Sequence, residues 1–140
     1  MYYFAYGSNL SRARLKERVG NFSKEEKCIA EDYKLTFDDR GKADIITSVG
    51  SKVYGIIYEL STDQMNELDR YEGVKMGVYM RLPILVKVND KPTEAVAYVK
   101  VTKTLFHKPE AKYLKLIIDG LLEHGFNSDV IDKVKGAANS

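Results

Sequence analysis

A single cysteine, Cys28, leaves the chain without the material for an internal disulfide. Charge of one sign is also missing. Lys and Arg number 22 against 20 Asp and Glu, a net charge of +2 that gives no strong field for nucleic acid or an anionic membrane. No apolar run approaches the roughly 20 residues that a bilayer-spanning helix needs. The first residues lack the basic-then-apolar pattern of a secretion signal, so the expectation is a cytoplasmic protein with no nucleic-acid and no membrane partner. Neither phosphate-cradling glycine motif occurs. The two histidines, His107 and His124, have no metal-ligand spacing to each other or to Cys28, so no metal and no cofactor are expected. Cys28 as a nucleophile is set aside because it falls in an expected strand, where thiols are buried and inert.

What is present suits a globular core. The sequence is 44% hydrophobic with ten Tyr and five Phe, which argues against disorder. A chain of 140 residues buries roughly 70% of its unfolded surface as one domain. A single domain over 1–140 is expected, with a frayed tail over about 136–140.

Period-two alternation of Tyr33, Leu35 and Phe37 with Lys34, Thr36 and Asp38 predicts a strand, and Asp38 to Gly41 a turn into a second strand over 43–49. The run "VYGIIYEL" at 53–60 reads as a strand buried on both faces. Ser61 with Gln64 is a capping-box signal, which starts a helix over about 62–71, and Gly73 supplies a left-handed stop. Strands over 79–88 and 94–101 flank a turn at Asn89-Asp90-Lys91-Pro92. Two amphipathic helices follow, one ending at Gly125 and one around Ile131 and Val134. Strands dominate without steady strand–helix alternation, which predicts an α+β domain built on a small mixed β-barrel flanked by helices.

Two stretches could carry chemistry. "FAYGSNL", residues 4–10, breaks an apolar strand with Gly7, Ser8 and Asn9. It is either a plain strand exit or a loop whose N–H groups hold a carboxylate or carbonyl oxygen. Glu72 falls just past a helix C-terminus, where the macrodipole disfavours an anion. It is either a solvated surface acid or a general base. Among the tyrosines, Tyr6, Tyr79, Tyr98 and Tyr113 fall where strand or helix ends can face that loop.

Taken together, "YFAYGSNL", "VYGIIYEL", "LDRYEGVKMGVY", "AVAYVK" and "KYLKLIIDG" closely resemble the γ-glutamylcyclotransferase family over about residues 2–131. The resemblance implies a mixed barrel, no cofactor, and a lyase of glutathione metabolism that releases a γ-linked amine as 5-oxoproline forms. It implies a small-molecule γ-glutamyl substrate as partner and leaves a homodimer open. Carried over by motif, Tyr6, Gly7, Ser8, Asn9 and Leu10 bind the γ-glutamyl group, and Glu72 within "YEG" is the catalytic acid/base. Tyr79, Tyr98 and Tyr113 match aromatic positions that line the family's pocket. "YGSN" resembles the branch acting on γ-glutamyl amino acids. Two departures bear on substrate range: a shorter segment from Asp38 to Lys42 than in the animal enzymes, and the Arg70-Tyr71 pair. Other readings are a non-catalytic binder of a γ-glutamyl metabolite, and an enzyme removing a γ-glutamyl protecting group in biosynthesis.

Overall fold

The computed structural model describes residues 1–140. Its elements in chain order are β1 (Tyr2–Ala5), a 3-10 turn (Ser8–Leu10), α1 (Arg12–Val19), β2 (Glu25–Phe37) and β3 (Ala43–Glu59). They continue as α2 (Thr62–Tyr71), β4 (Tyr79–Val88), β5 (Lys91–Lys100), α3 (Ala111–Glu123) and α4 (Ser128–Ala138). The strands close into a barrel in the order β1-β3-β2-β4-β5. All neighbours are antiparallel except β1 and β5, which meet in parallel at Tyr3 and Val96. This is the expected α+β architecture, a mixed barrel with helices around it. Its buried apolar residues form one cluster that joins barrel interior to helix faces. No helix is long and apolar enough to cross a membrane.

Three boundaries differ from the sequence expectation, each for a local reason. The strands expected at 43–49 and 53–60 are a single 17-residue β3, paired with β2 on either side of residues 48–51. Residues 48–51 of β3 bulge out opposite the single Asp32 (φ 64°) of β2, whose Oδ1 accepts the N–H of Gly50 at 2.9 Å. The β4–β5 turn is tighter than Asn89 to Pro92. Only Asn89 and Asp90 turn, both with positive φ as a two-residue hairpin loop requires, while Pro92 lies in β5 opposite Lys87. The tail expected to fray is helical through Ala138, which α4 buries.

Two packing contacts fix the parts that matter for function. At Gly120 on α3, a Cβ would lie 2.7 Å from Leu10 Cβ, so only glycine lets α3 lie against the 3-10 turn. At the end of α2 the capping box forms as expected, and Gly73 (φ 65°) ends the helix, leaving Glu72 as its C-terminal cap.

Candidate active site

The strand β1 ends at Ala5, and the next residues turn at once. Leu10 N–H donates to Gly7 O at 3.0 Å and Ser11 N–H to Ser8 O at 3.1 Å. A 3-10 turn leaves its first N–H groups, here those of Ser8 and Asn9, without partners inside the turn. Ser11 then caps α1 by accepting the N–H of Arg14. Because α1 begins there, Arg14 and Arg18, one helical turn apart, face the same side as the 3-10 turn. Arg14 Nε donates to Ser8 Oγ at 3.0 Å, and the Arg18 guanidinium lies over the Tyr71 ring at 4.8 Å.

These residues line one cavity of about 300 Å³. It brings together Glu72, Tyr6, Gly7, Ser8, Asn9, Tyr79, Tyr98 and Tyr113, eight of the nine residues singled out from the sequence. Leu10 stands apart. Its side chain is fully buried against Gly120, its N–H is used within the turn, and its carbonyl accepts from His124 Nε2 at 2.9 Å and the Tyr58 hydroxyl at 3.1 Å. It anchors the loop from behind and does not face the cavity.

Glu72 is the only acid on the cavity wall. It is half-buried, and its carboxylate has neither a hydrogen bond nor an ion pair, only its backbone N–H bonding to Leu68 O at 2.9 Å. Burial pushes its carboxyl above the ordinary glutamate value, and the nearby Arg18 and Arg14 pull only part of the way back. The result is a carboxylate without a partner on the cavity wall, with its proton affinity raised.

The tyrosines play a different part from that acid. Tyr79 donates to Asp38 Oδ2 at 2.8 Å and Ala43 O at 3.2 Å, Tyr98 to Asp69 Oδ1 at 2.6 Å, and Tyr6 to the carbonyl of Tyr98 at 2.6 Å. Tyr113 Oη accepts the N–H of Ala43 at 2.9 Å, and burial pushes its hydroxyl up to about 12. The hydroxyls therefore tie barrel, loop and helix together, and all four residues line the wall.

Sequence reasoning missed Tyr3, Arg14, Arg18, Arg40 and Lys42, all on the wall. The i, i+4 spacing of Arg14 and Arg18 was a usable signal. Tyr3 Oη accepts from Asn9 Nδ2 at 3.0 Å, an arrangement that leaves Asn9 Oδ1 buried without a partner. Cys28 lies away from the cavity, and burial pushes its thiol well above the ordinary range, as an inert core cysteine requires.

The model of the AIG2-like family matches residues 52–134. The gamma-glutamylcyclotransferase of Homo sapiens is 32% identical over 145 residues, covering 95% of this chain and 76% of that protein. The Mus musculus protein of the same name gives the same figures. A solved structure of a gamma-glutamyl cyclotransferase matches with a TM-score of 0.89 at 29% identity, over 96% of this chain and 86% of that one. YkqA from Bacillus subtilis, at 22% identity and a TM-score of 0.89, shares the fold.

Proposed function

The chain belongs to the γ-glutamylcyclotransferase family and is an enzyme of this type, and we propose that it cyclises γ-glutamyl amino acids to 5-oxoproline with Glu72 moving the proton. In this reaction the substrate's own α-amine attacks its own γ-carbonyl carbon, the new C–N bond closes the lactam, and the old amide C–N bond breaks. The α-ammonium gives up two protons on the way to the lactam N–H. The departing nitrogen gains two on the way to an ammonium, so the balance needs no co-reactant.

No enzyme nucleophile is required, because holding the γ-glutamyl chain folded supplies an effective molarity of about 10⁵ M or more. The 3-10 turn at Ser8 and Asn9 holds the γ-glutamyl group, and the tyrosine faces shape the space for its curled chain. Glu72 accepts a proton from the α-ammonium, which frees the lone pair that attacks, and returns it to the departing nitrogen. The observation that carries this reading is the unpartnered Glu72 carboxylate, raised in proton affinity, on the wall that the 3-10 turn shares.

The test is incubation with a panel of γ-glutamyl compounds and measurement of 5-oxoproline. Its release from γ-glutamyl amino acids, together with the free amino acid, is expected. Tight binding without 5-oxoproline would make the protein a binder instead.

A further inference from the structure

Four cations line the cavity, Arg14 and Arg18 from α1 and Arg40 and Lys42 from the β2–β3 connection. None has a carboxylate oxygen within 4.0 Å, and Glu72 is the single acid among them. The two pairs sit differently. Arg14 and Arg18 are half-buried and close enough to Glu72 to act on its titration, whereas Arg40 and Lys42 are exposed at the mouth.

Exposed cations on a loop are ordinarily just solvated. The loop that carries these two is built, however. Asp38, only 2% exposed, accepts the N–H groups of Arg40 and Lys42 on Oδ1 at 2.9 and 3.0 Å. Its Oδ2 takes the Tyr79 hydroxyl at 2.8 Å and Lys100 Nζ at 3.3 Å. Gly41, at φ 73°, sits where a Cβ would come within 3.0 Å of the Lys108 carbonyl, so neither the turn nor the space admits another residue. Lys42 Nζ stands 4.3 Å from the centroid of the Tyr113 ring. Both acids of the loop are thus turned to Lys100, Asp39 at 3.5 Å and Asp38 closer, which leaves Arg40 and Lys42 as free positive charges on a fixed base.

With a γ-glutamyl group at the 3-10 turn and Glu72, the exposed side of the cavity, where Arg40 and Lys42 stand, is open to its leaving amine. We infer that Arg40 and Lys42 form the subsite for the leaving amino acid and select leaving amino acids that carry two carboxylates, such as glutamate or aspartate. A single carboxylate needs one cation, and the rim offers two. The inference rests on the reading that this cavity cyclises γ-glutamyl compounds.

The test compares γ-glutamylglutamate, γ-glutamylalanine and γ-glutamylethylamide, whose leaving groups carry two, one and no carboxylates. Release of 5-oxoproline gives kcat/KM for the parent and for an Arg40→Gln/Lys42→Gln variant. In the parent each added carboxylate is expected to raise kcat/KM about tenfold at low salt through KM, and the steps shrink at about 0.5 M salt because rim charges are screened. In the variant the ratio between the first and last substrates falls at least tenfold. Calorimetric binding of the same three compounds, with and without the rim substitutions in a Glu72→Gln background, separates recognition from turnover. Ordered affinities that the rim substitutions flatten, without 5-oxoproline from any protein, would uphold the subsite and sink the cyclisation. Equal kcat/KM for the three compounds in the parent, equal affinity for them in Glu72→Gln, or an equal loss on all three when the rim is substituted, would overturn the subsite.

Discussion

Gly7 shows how narrowly a single position is constrained. Its φ of −113° is not a left-handed one, but the ψ of −139° that goes with it lies outside the broad regions open to residues with a Cβ. Space is limited as well. A Cβ there would lie 3.1 Å from Ala43 Cβ and 3.5 Å from Tyr113 Oη, and larger branches would project into the cavity. Gly7→Val is therefore expected to weaken binding of 5-oxoproline or a γ-glutamyl analogue at least tenfold, with thermal unfolding showing that the variant still folds. Unchanged affinity in a well-folded variant would reduce "GSN" to a strand exit. Glu72 yields a pH prediction with a definite sign. A base must be deprotonated to work, and burial holds this carboxyl above the ordinary glutamate value. The acid limb of kcat/KM is expected to bend above the ordinary glutamate value, with activity lost as pH falls through that bend. A pH–rate profile of the free enzyme checks it, and a limb at or below the ordinary value would contradict the environment described.

At the scale of elements, what the sequence revealed and what it hid have separate physical origins. The start and stop of α2 were legible, because capping box and left-handed glycine are local chemistry that needs no knowledge of the rest of the chain. The continuity of β3 was not. Exposed Val49 and Gly50 look like a turn, and only the pairing with β2 on both sides of this bulge, together with Asp32 Oδ1 on the Gly50 N–H, makes one strand of it. The same limit hid Arg40 and Lys42, whose place depends on Asp38 reaching Tyr79 and Lys100 on other strands. Asp38 is thus the hinge of the prediction at this scale. Burial pushes its carboxyl up, but the bonds from Lys42 N–H, Tyr79, Arg40 N–H and Lys100 more than offset that and hold it below the ordinary range. A depressed folded-state value means a stability contribution that is complete above the ordinary carboxylate range and lost as pH falls through the folded-state value. Asp38→Asn is expected to cost about 3 kcal/mol or more near neutral pH, since it leaves Lys100 with a weakened partner in a mostly buried position. Its unfolding free energy should also lose part of the parent's fall in acid. Denaturant titrations at several pH values check both, and parallel curves for variant and parent would contradict the role.

At the scale of the whole molecule, closure of the barrel gathers the site from stretches far apart in the chain: Tyr3 and residues 6–9, Arg14 and Arg18 on α1, residues 40–43, the end of α2 at 71–73, Tyr79 on β4, Tyr98 on β5 and Tyr113 on α3. Periodicity and capping place each stretch on an element, yet nothing in the pattern says which ends share a mouth; motif resemblance supplied that, and left out the cations because they stand outside the motifs. The account turns on one carboxylate among them. Glu72→Gln keeps the shape of the side chain and removes its ability to take a proton, in a position with no side-chain hydrogen bond or ion pair to disturb. The most direct measurement is the kcat for 5-oxoproline release from γ-glutamylalanine by Glu72→Gln, set beside its affinity for 5-oxoproline and its unfolding midpoint. A fall in kcat of about 10²- to 10⁴-fold with affinity and midpoint retained is the predicted result; a kcat within a few-fold of the parent would contradict it.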